Sequence, residues 1–287
     1  MLGLGNVQNE LEQTMIPWGK LTWVIKAGIM RLSSQGLTDP GCVRTENQDR
    51  IIFDDALGLY LVCDGLGGRR RGDVAAELAG NAIRQYVESS QDPMDVTWPY
   101  GYNIQISFAA NRITTAAKLA NRQVWRRSEE SLEYLGMGTT ISAVLVESGR
   151  AAIANIGDSR VYLLRDGHLE QLSVDDTVGY ANQWTREIPI DSSRHPIIRN
   201  ILTHAAGSQE NAEVHLKEQP MSDGDLFLVC SDGLHGCVSD DRMAAILAAT
   251  QNPHDGAAAL LSAARSAGAP DNVSVVVFQY GDDENGD

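Results

Sequence analysis

Three aspartates in this chain stand in the same local setting. Each sits where a run of nearly continuous apolar residues stops or starts, and each is followed by Gly or Asn. The segments are Leu59-Tyr60-Leu61-Val62-Cys63-Asp64-Gly65, Leu226-Phe227-Leu228-Val229-Cys230-Ser231-Asp232-Gly233, and Pro270-Asp271-Asn272 ahead of Val273-Ser274-Val275-Val276-Val277. Apolar runs of this length read as buried strands, which hold their ends rigidly. The three carboxylates could therefore converge, and converging like charges need a cation between them. One Asp-Gly after a strand is ordinarily a turn; the recurrence is what points to a site. Carboxylate oxygens suit hard divalent cations such as Mg²⁺ or Mn²⁺. The histidines (His168, His195, His204, His215, His235, His254) lack His-x-x-x-His or Glu-x-x-His spacing, so zinc is not indicated. Two hard cations about 4 Å apart could acidify a water held between them and stabilise charge developing on a phosphoryl group. That is hydrolysis without a covalent protein nucleophile. A phosphate also needs a cationic clamp, and Arg44, just ahead of Glu46-Asn47-Gln48-Asp49, is the candidate because guanidinium binds phosphate bidentately.

The elements that must position these residues follow from pattern. Residues 50–53 and 59–63 read as two strands joined by the turn Asp54-Asp55-Ala56-Leu57-Gly58. From Asp73 onward Ala75, Ala79, Ile83 and Val87 recur every four positions, predicting an amphipathic helix, and a second helix is predicted over 104–126. Strands over 139–146, 151–155, 160–164 and 168–172, with turns at Ser148-Gly149, Gly157-Asp158 and Asp166-Gly167, predict an antiparallel meander. Residues 177–197 are irregular and read as a functional flap or a poorly ordered loop. A strand over 226–230 follows, then a helix capped by Ser239, a further helix reaching about Ala267, and a strand over 273–280. Strands in runs, with helix pairs between them, predict an α+β layered sandwich rather than a doubly wound sheet. Residues 1–28 are set apart as an N-terminal extension, 29–281 as one domain, and 282–287 as an acidic tail.

Composition narrows the function classes. The chain has 287 residues, 38 acidic against 23 basic, for a formal charge of −15. Phosphate backbones and anionic membranes are repelled by such a surface, which argues against nucleic acid as a partner. Cys42, Cys63, Cys230 and Cys237 form no Cys-x-x-Cys pair and read as small buried hydrophobes in a reducing compartment. No stretch is apolar over a bilayer-spanning length, so a cytoplasmic protein is expected.

In order, Gly41-Cys42-Val43-Arg44-Thr45-Glu46-Asn47-Gln48-Asp49, Asp64-Gly65-Leu66-Gly67-Gly68, Gly138-Thr139-Thr140, Ala154-Asn155-Ile156-Gly157-Asp158-Ser159-Arg160, Ser231-Asp232-Gly233 and Asp271-Asn272 resemble the signature blocks of bacterial PP2C-type (PPM) phosphatases. The resemblance implies a central sandwich of two antiparallel sheets flanked by helix pairs, four layers α/β/β/α, with two Mn²⁺ or Mg²⁺ ions at one end. It implies that Asp64 bridges both ions, that the Gly65 carbonyl binds one, and that Asp232 and Asp271 bind the other. Arg44 matches the phosphate-binding arginine and Asp49 a carboxylate that orients water; Gln48 and Asp158 take supporting positions. The implied substrates are proteins bearing phosphoserine or phosphothreonine, the implied partners a Ser/Thr kinase or its substrates. There are departures from the pattern. Gln48 stands where many members have Glu, and Arg69, opening Arg69-Arg70-Arg71, stands where bacterial members usually have a histidine proton donor. Leu135-Gly136 precede Met137 where an acidic third-metal ligand is common. These departures motivate the alternative of a pseudophosphatase acting as a binding module. A nucleotide-binding reading lacks any Gly-Lys-Ser or Gly-Lys-Thr.

Overall fold

The computed structural model describes residues 31–66, 71–180 and 201–281. The predicted extension (1–28), the acidic tail, Arg69, Arg70, His195 and most of the 177–197 loop lie outside the described residues. In chain order the first elements are β1 (Arg31–Asp39), β2 (Arg50–Asp54), β3 (Leu59–Cys63), β4 (Gly65–Leu66), α1 (Gly72–Ser89), α2 (Phe108–Glu129), β5 (Gly138–Thr139), β6 (Ile141–Glu147) and β7 (Arg150–Ile156). They are followed by β8 (Arg160–Arg165), β9 (His168–Gln171), β10 (His215–Pro220), β11 (Leu226–Cys230), α3 (Asp232–His235), α4 (Asp240–Ala249), α5 (Pro253–Ser266) and β12 (Val273–Gly281).

Two five-stranded antiparallel sheets, ordered β1-β12-β11-β8-β9 and β10-β7-β6-β3-β2, pack face to face. The continuous apolar runs are strands buried on both faces, and the period of two divides each between two cores. In β3, Tyr60 and Val62 enter the layer between the sheets, while Leu59, Leu61 and Cys63 face α1 and α2. In β12, Val276 and Phe278 point inward, and Val273, Val275 and Val277 pack with α4 and α5. The Phe278 ring stacks on Tyr60 at 3.8 Å and on Phe227 at 4.8 Å, tying the sheets at their centre. The predicted four-layer α/β/β/α arrangement is the observed one.

Several boundaries differ from expectation. The predicted meander is split: β6 and β7 pair in one sheet and β8 and β9 in the other, because the chain crosses between sheets at Gly157 (φ 98°). Asn155 holds that crossing by donating from Nδ2 to the carbonyls of Gly157 (3.1 Å) and Val174 (2.9 Å). The second helix begins at Phe108, not 104, where Ser107 caps it by accepting from the Ala110 N–H. Strands β1 and β10 were not anticipated; both are sheet edges of polar composition and give no apolar alternation. Cys63 and Cys230 are buried as expected, but Cys42 is exposed and Cys237 half-buried.

Antiparallel pairing decides where the acids go. Asp64 follows β3 and Asp49 precedes its neighbour β2; Asp232 follows β11 and Asp271 precedes its neighbour β12. In each antiparallel pair these are the same edge, and Asp158, at the β7–β8 crossing, joins them.

Candidate active site

At this end of the sandwich a cleft of about 1110 Å³ is lined by Arg44, Gln48, Asp64, Gly65, Arg71, Asp73, Asp158, Leu202, Asp232, Asp271 and Asn272, among others. The predicted residues Arg44, Gln48, Asp64, Gly65, Asp158, Asp232 and Asp271 all line it, and Asp49 lies directly behind.

The backbone of Asp64 is clamped by the adjacent threonines. Its N–H donates to Thr140 Oγ1 (2.9 Å), and its carbonyl accepts from Thr140 N–H (2.9 Å) and Thr139 Oγ1 (2.9 Å). Gly65 must be glycine, because a Cβ there would lie 2.3 Å from the Gly72 carbonyl oxygen and 2.5 Å from that of Gln48. Asp49 Oδ2 accepts from Ser274 Oγ (2.6 Å) and Ser231 Oγ (2.9 Å), which fixes the carboxylate from both neighbouring strands. Arg44, exposed on the loop before β2, pairs through Nη2 with Asp271 Oδ2 at 2.8 Å. Asn272 fastens that loop: its Nδ2 donates to the carbonyls of Pro40 (3.1 Å) and Glu46 (2.8 Å), and its Oδ1 accepts from the Gln48 N–H (2.9 Å). Asn272→Ala is therefore expected to destabilise the protein by about 1–3 kcal/mol in urea unfolding. It should also speed amide exchange in residues 41–49; unchanged exchange there would refute the clamp.

The electrostatics are those of crowded acids. Burial pushes the Asp49 pKa up to about 6 against the lowering effect of the Ser274 and Ser231 hydroxyls. Burial, then Asp232 and Asp175, pushes Asp158 up to about 7. Asp64 is raised well above the usual carboxylate range by burial and then by Asp49, Asp232, Asp158 and Asp271. Asp232 is raised by burial and then by Asp271. Asp64 and Asp232 line the cleft and Asp49 is half-buried behind it, while Asp158 is 8% exposed, so charge crowding matters alongside burial. His235 is different: burial drives its pKa down to about 3, and the neutral ring meets the Asp158 carbonyl through Nε2 at 3.0 Å.

Two observations bear on whether these residues suit cations. Asp49 Oδ1 and Asp232 Oδ1 are buried with no hydrogen-bond partner, each an acceptor among other acceptors. Such oxygens call for a proton or a metal ion. Among the described residues, no three Asp, Glu, His or Cys side chains close on one point as metal ligands, but Asp49, Asp232, Asp158 and Asp271 crowd Asp64 closely enough to raise its pKa, a repulsion that a cation would relieve. An all-oxygen donor set fits Mg²⁺ or Mn²⁺.

Residue-by-residue reading missed the positioning groups Asn272, Thr139, Thr140, Ser231 and Ser274. Ser274 alone carries a signal, a small polar residue, fully buried, inside the otherwise apolar strand Val273-Ser274-Val275-Val276.

Residues 43–266 match the family described as protein phosphatase 2C. The chain is 30% identical over 249 residues to the serine/threonine phosphatase stp of Listeria monocytogenes, covering 84% of this chain and 93% of the relative. It is 33% identical over 252 residues to the serine/threonine protein phosphatase PstP of Mycobacterium tuberculosis, covering 87% of this chain and 45% of that protein. The catalytic domain of PstP, solved in complex with two manganese ions, is similar in structure with a TM-score of 0.74 at 30% identity, covering 88% of this chain and 100% of that one.

Proposed function

The chain belongs to the protein phosphatase 2C family, and from that membership we propose that it hydrolyses phosphoserine and phosphothreonine in proteins with two Mn²⁺ or Mg²⁺ ions. In this reading Asp64, Asp232, Asp271 and the Gly65 carbonyl hold the ions. When bound, the ions supply charge stabilisation at the phosphoryl oxygens and make a nearby water more acidic. The chain's own residues do the rest. Asp49, tethered through Oδ2 to Ser231 and Ser274, keeps Oδ1 available to orient a water or accept its proton. Arg44 exchanges Asp271 for a phosphoryl oxygen, a small cost because an exposed ion pair contributes only about 0–1 kcal/mol. Gln48 and Asp158 support from the cleft wall.

The observation that carries this reading is the pair of buried, unpartnered carboxylate oxygens, on Asp232 at the cleft and on Asp49 just behind it. A binding module without chemistry gives no reason to retain them. The finer assignments belong to the same proposal. The enzyme opposes a Ser/Thr kinase in the cytoplasm, and the 177–197 loop shapes substrate access. Its described root supports the last point, since Val178 N–H donates to the Ile201 carbonyl (2.9 Å) and Leu202 lines the cleft. Among the described residues no helix is long and apolar enough to cross a membrane. Release of phosphate from a phosphothreonine peptide should require added Mn²⁺ and cease with a chelator. No release by folded protein at saturating Mn²⁺ would refute the function.

A further inference from the structure

Among the described residues lining the cleft, the cations are Arg44 and Arg71. Arg44 has a role above; Arg71 does not. It sits immediately before α1 with φ at 64°, a left-handed conformation uncommon for a residue with a side chain. The turn is held by its carbonyl, which accepts from the N–H groups of Val74 (3.1 Å) and Ala75 (3.2 Å). Its guanidinium donates to Glu133 Oε1 at 2.6 Å, lies 3.5 Å from Asp73 Oδ1, and stands 5.8 Å from the centroid of Tyr134. Strained conformations that persist at a cleft point to function.

We propose that Arg71 selects substrates carrying an acidic side chain, either a carboxylate or a second phosphate, beside the phosphoresidue being hydrolysed. This rests on the phosphatase reading and adds to it a substrate preference. Glu133 already occupies the guanidinium in the way a substrate acid would. The pair is exposed, 41% and 57%, so an incoming anion displaces Glu133 at little cost. A guanidinium also takes carboxylate or phosphate bidentately. The cleft has room, since about 300–1,000 Å³ suffices for a whole small ligand and this one holds more. At a net charge of −15 the rest of the surface offers acidic peptides little attraction.

The test compares matched phosphothreonine peptides that differ at one flanking position: Glu, phosphoserine, Gln or Lys. With Mn²⁺ present, wild type should favour the Glu and phosphoserine peptides over Gln by roughly three- to tenfold, chiefly in KM, and added salt should shrink the difference. The larger effect of Glu or of phosphoserine identifies the preferred anion. Arg71→Ala should bring the KM ratio close to one, Arg71→Lys should keep part of it, and Arg71→Glu should turn it toward the Lys peptide. A ratio reports selection independently of any general loss in a variant. Should the Ala variant fail to fold, the Lys variant and the wild-type ratio still decide. Equal efficiency on all peptides by wild type, or a ratio unchanged in Arg71→Ala, overturns the role of Arg71 alone. No release from any peptide overturns the phosphatase reading with it.

Discussion

Replacing Asp232 by Asn is expected to lower Mn²⁺-stimulated phosphate release by about a thousandfold or more, corresponding to about 4 kcal/mol of transition-state stabilisation. The side chain keeps its shape and loses its charge. In the folded protein Asp232 carries a buried oxygen without a partner, and its pKa is raised by burial and then by Asp271. Its environment therefore opposes a carboxylate unless a cation is present. The same substitution should raise the thermal midpoint of the metal-free protein by a few degrees, because an amide relieves repulsion among the acids. Opposite signs for activity and stability distinguish a ligand from a residue needed for folding. Activity within tenfold of wild type at saturating Mn²⁺ would remove Asp232 from the site. Asp64→Asn should behave alike, with the larger gain in metal-free stability, since four other aspartates raise its pKa.

The second large effect concerns pH in the metal-free protein. Asp49 and Asp158 start from 3.8 and are raised in the folded state to about 6 and about 7. Between those values the folded protein binds more protons than the unfolded chain, so stability falls as pH rises. The contribution is fully present below the unfolded value and is lost as pH passes through the folded values. At 1.36 kcal/mol per unit, and with solvent in the cleft reducing the shift, the loss between pH 4 and 8 is on the order of 2–4 kcal/mol. Mn²⁺ should reverse it, adding more stability at pH 7.5 than at pH 5, because the carboxylates must be ionised to bind metal. Urea midpoints with chelator and with Mn²⁺ at both pH values give the comparison. Equal stability at the two pH values, with no response to Mn²⁺, would mean that the acids neither crowd nor bind.

How far these features are legible without coordinates depends on the range of the interactions behind them. Strand β3 and its following Asp64-Gly65 are legible because five consecutive apolar residues ending in a turn pair carry their own signal. So is the Ser239 cap of α4, whose hydroxyl accepts from Arg242 N–H three residues on. Strand β10 is not, because its half-buried residues form an edge and follow no alternation. The β7–β8 crossing looks like one more hairpin turn, since Gly157-Asp158 has hairpin composition. Tertiary hydrogen bonds direct the chain into the opposite sheet, among them Asn155 Nδ2 to the Val174 carbonyl and Gly157 N–H to Asp176 Oδ2.

The acid set shows the same division. Its chemistry was determined by residue type and local setting: aspartates at the ends of buried runs, oxygen donors only, and an arginine ahead of the β2 segment. Tertiary structure alone decided that Arg44 rests on Asp271, and that Asn272 pins a loop through Glu46, 226 residues away in the chain. It also decided that Ser231 and Ser274 hold Asp49 and that Glu133 reaches Arg71. Periodicity and turn preference are energies between near neighbours and leave a mark on the local sequence. A hydrogen bond between segments hundreds of residues apart leaves none, because either partner alone is an ordinary polar residue until the sheets bring the two together.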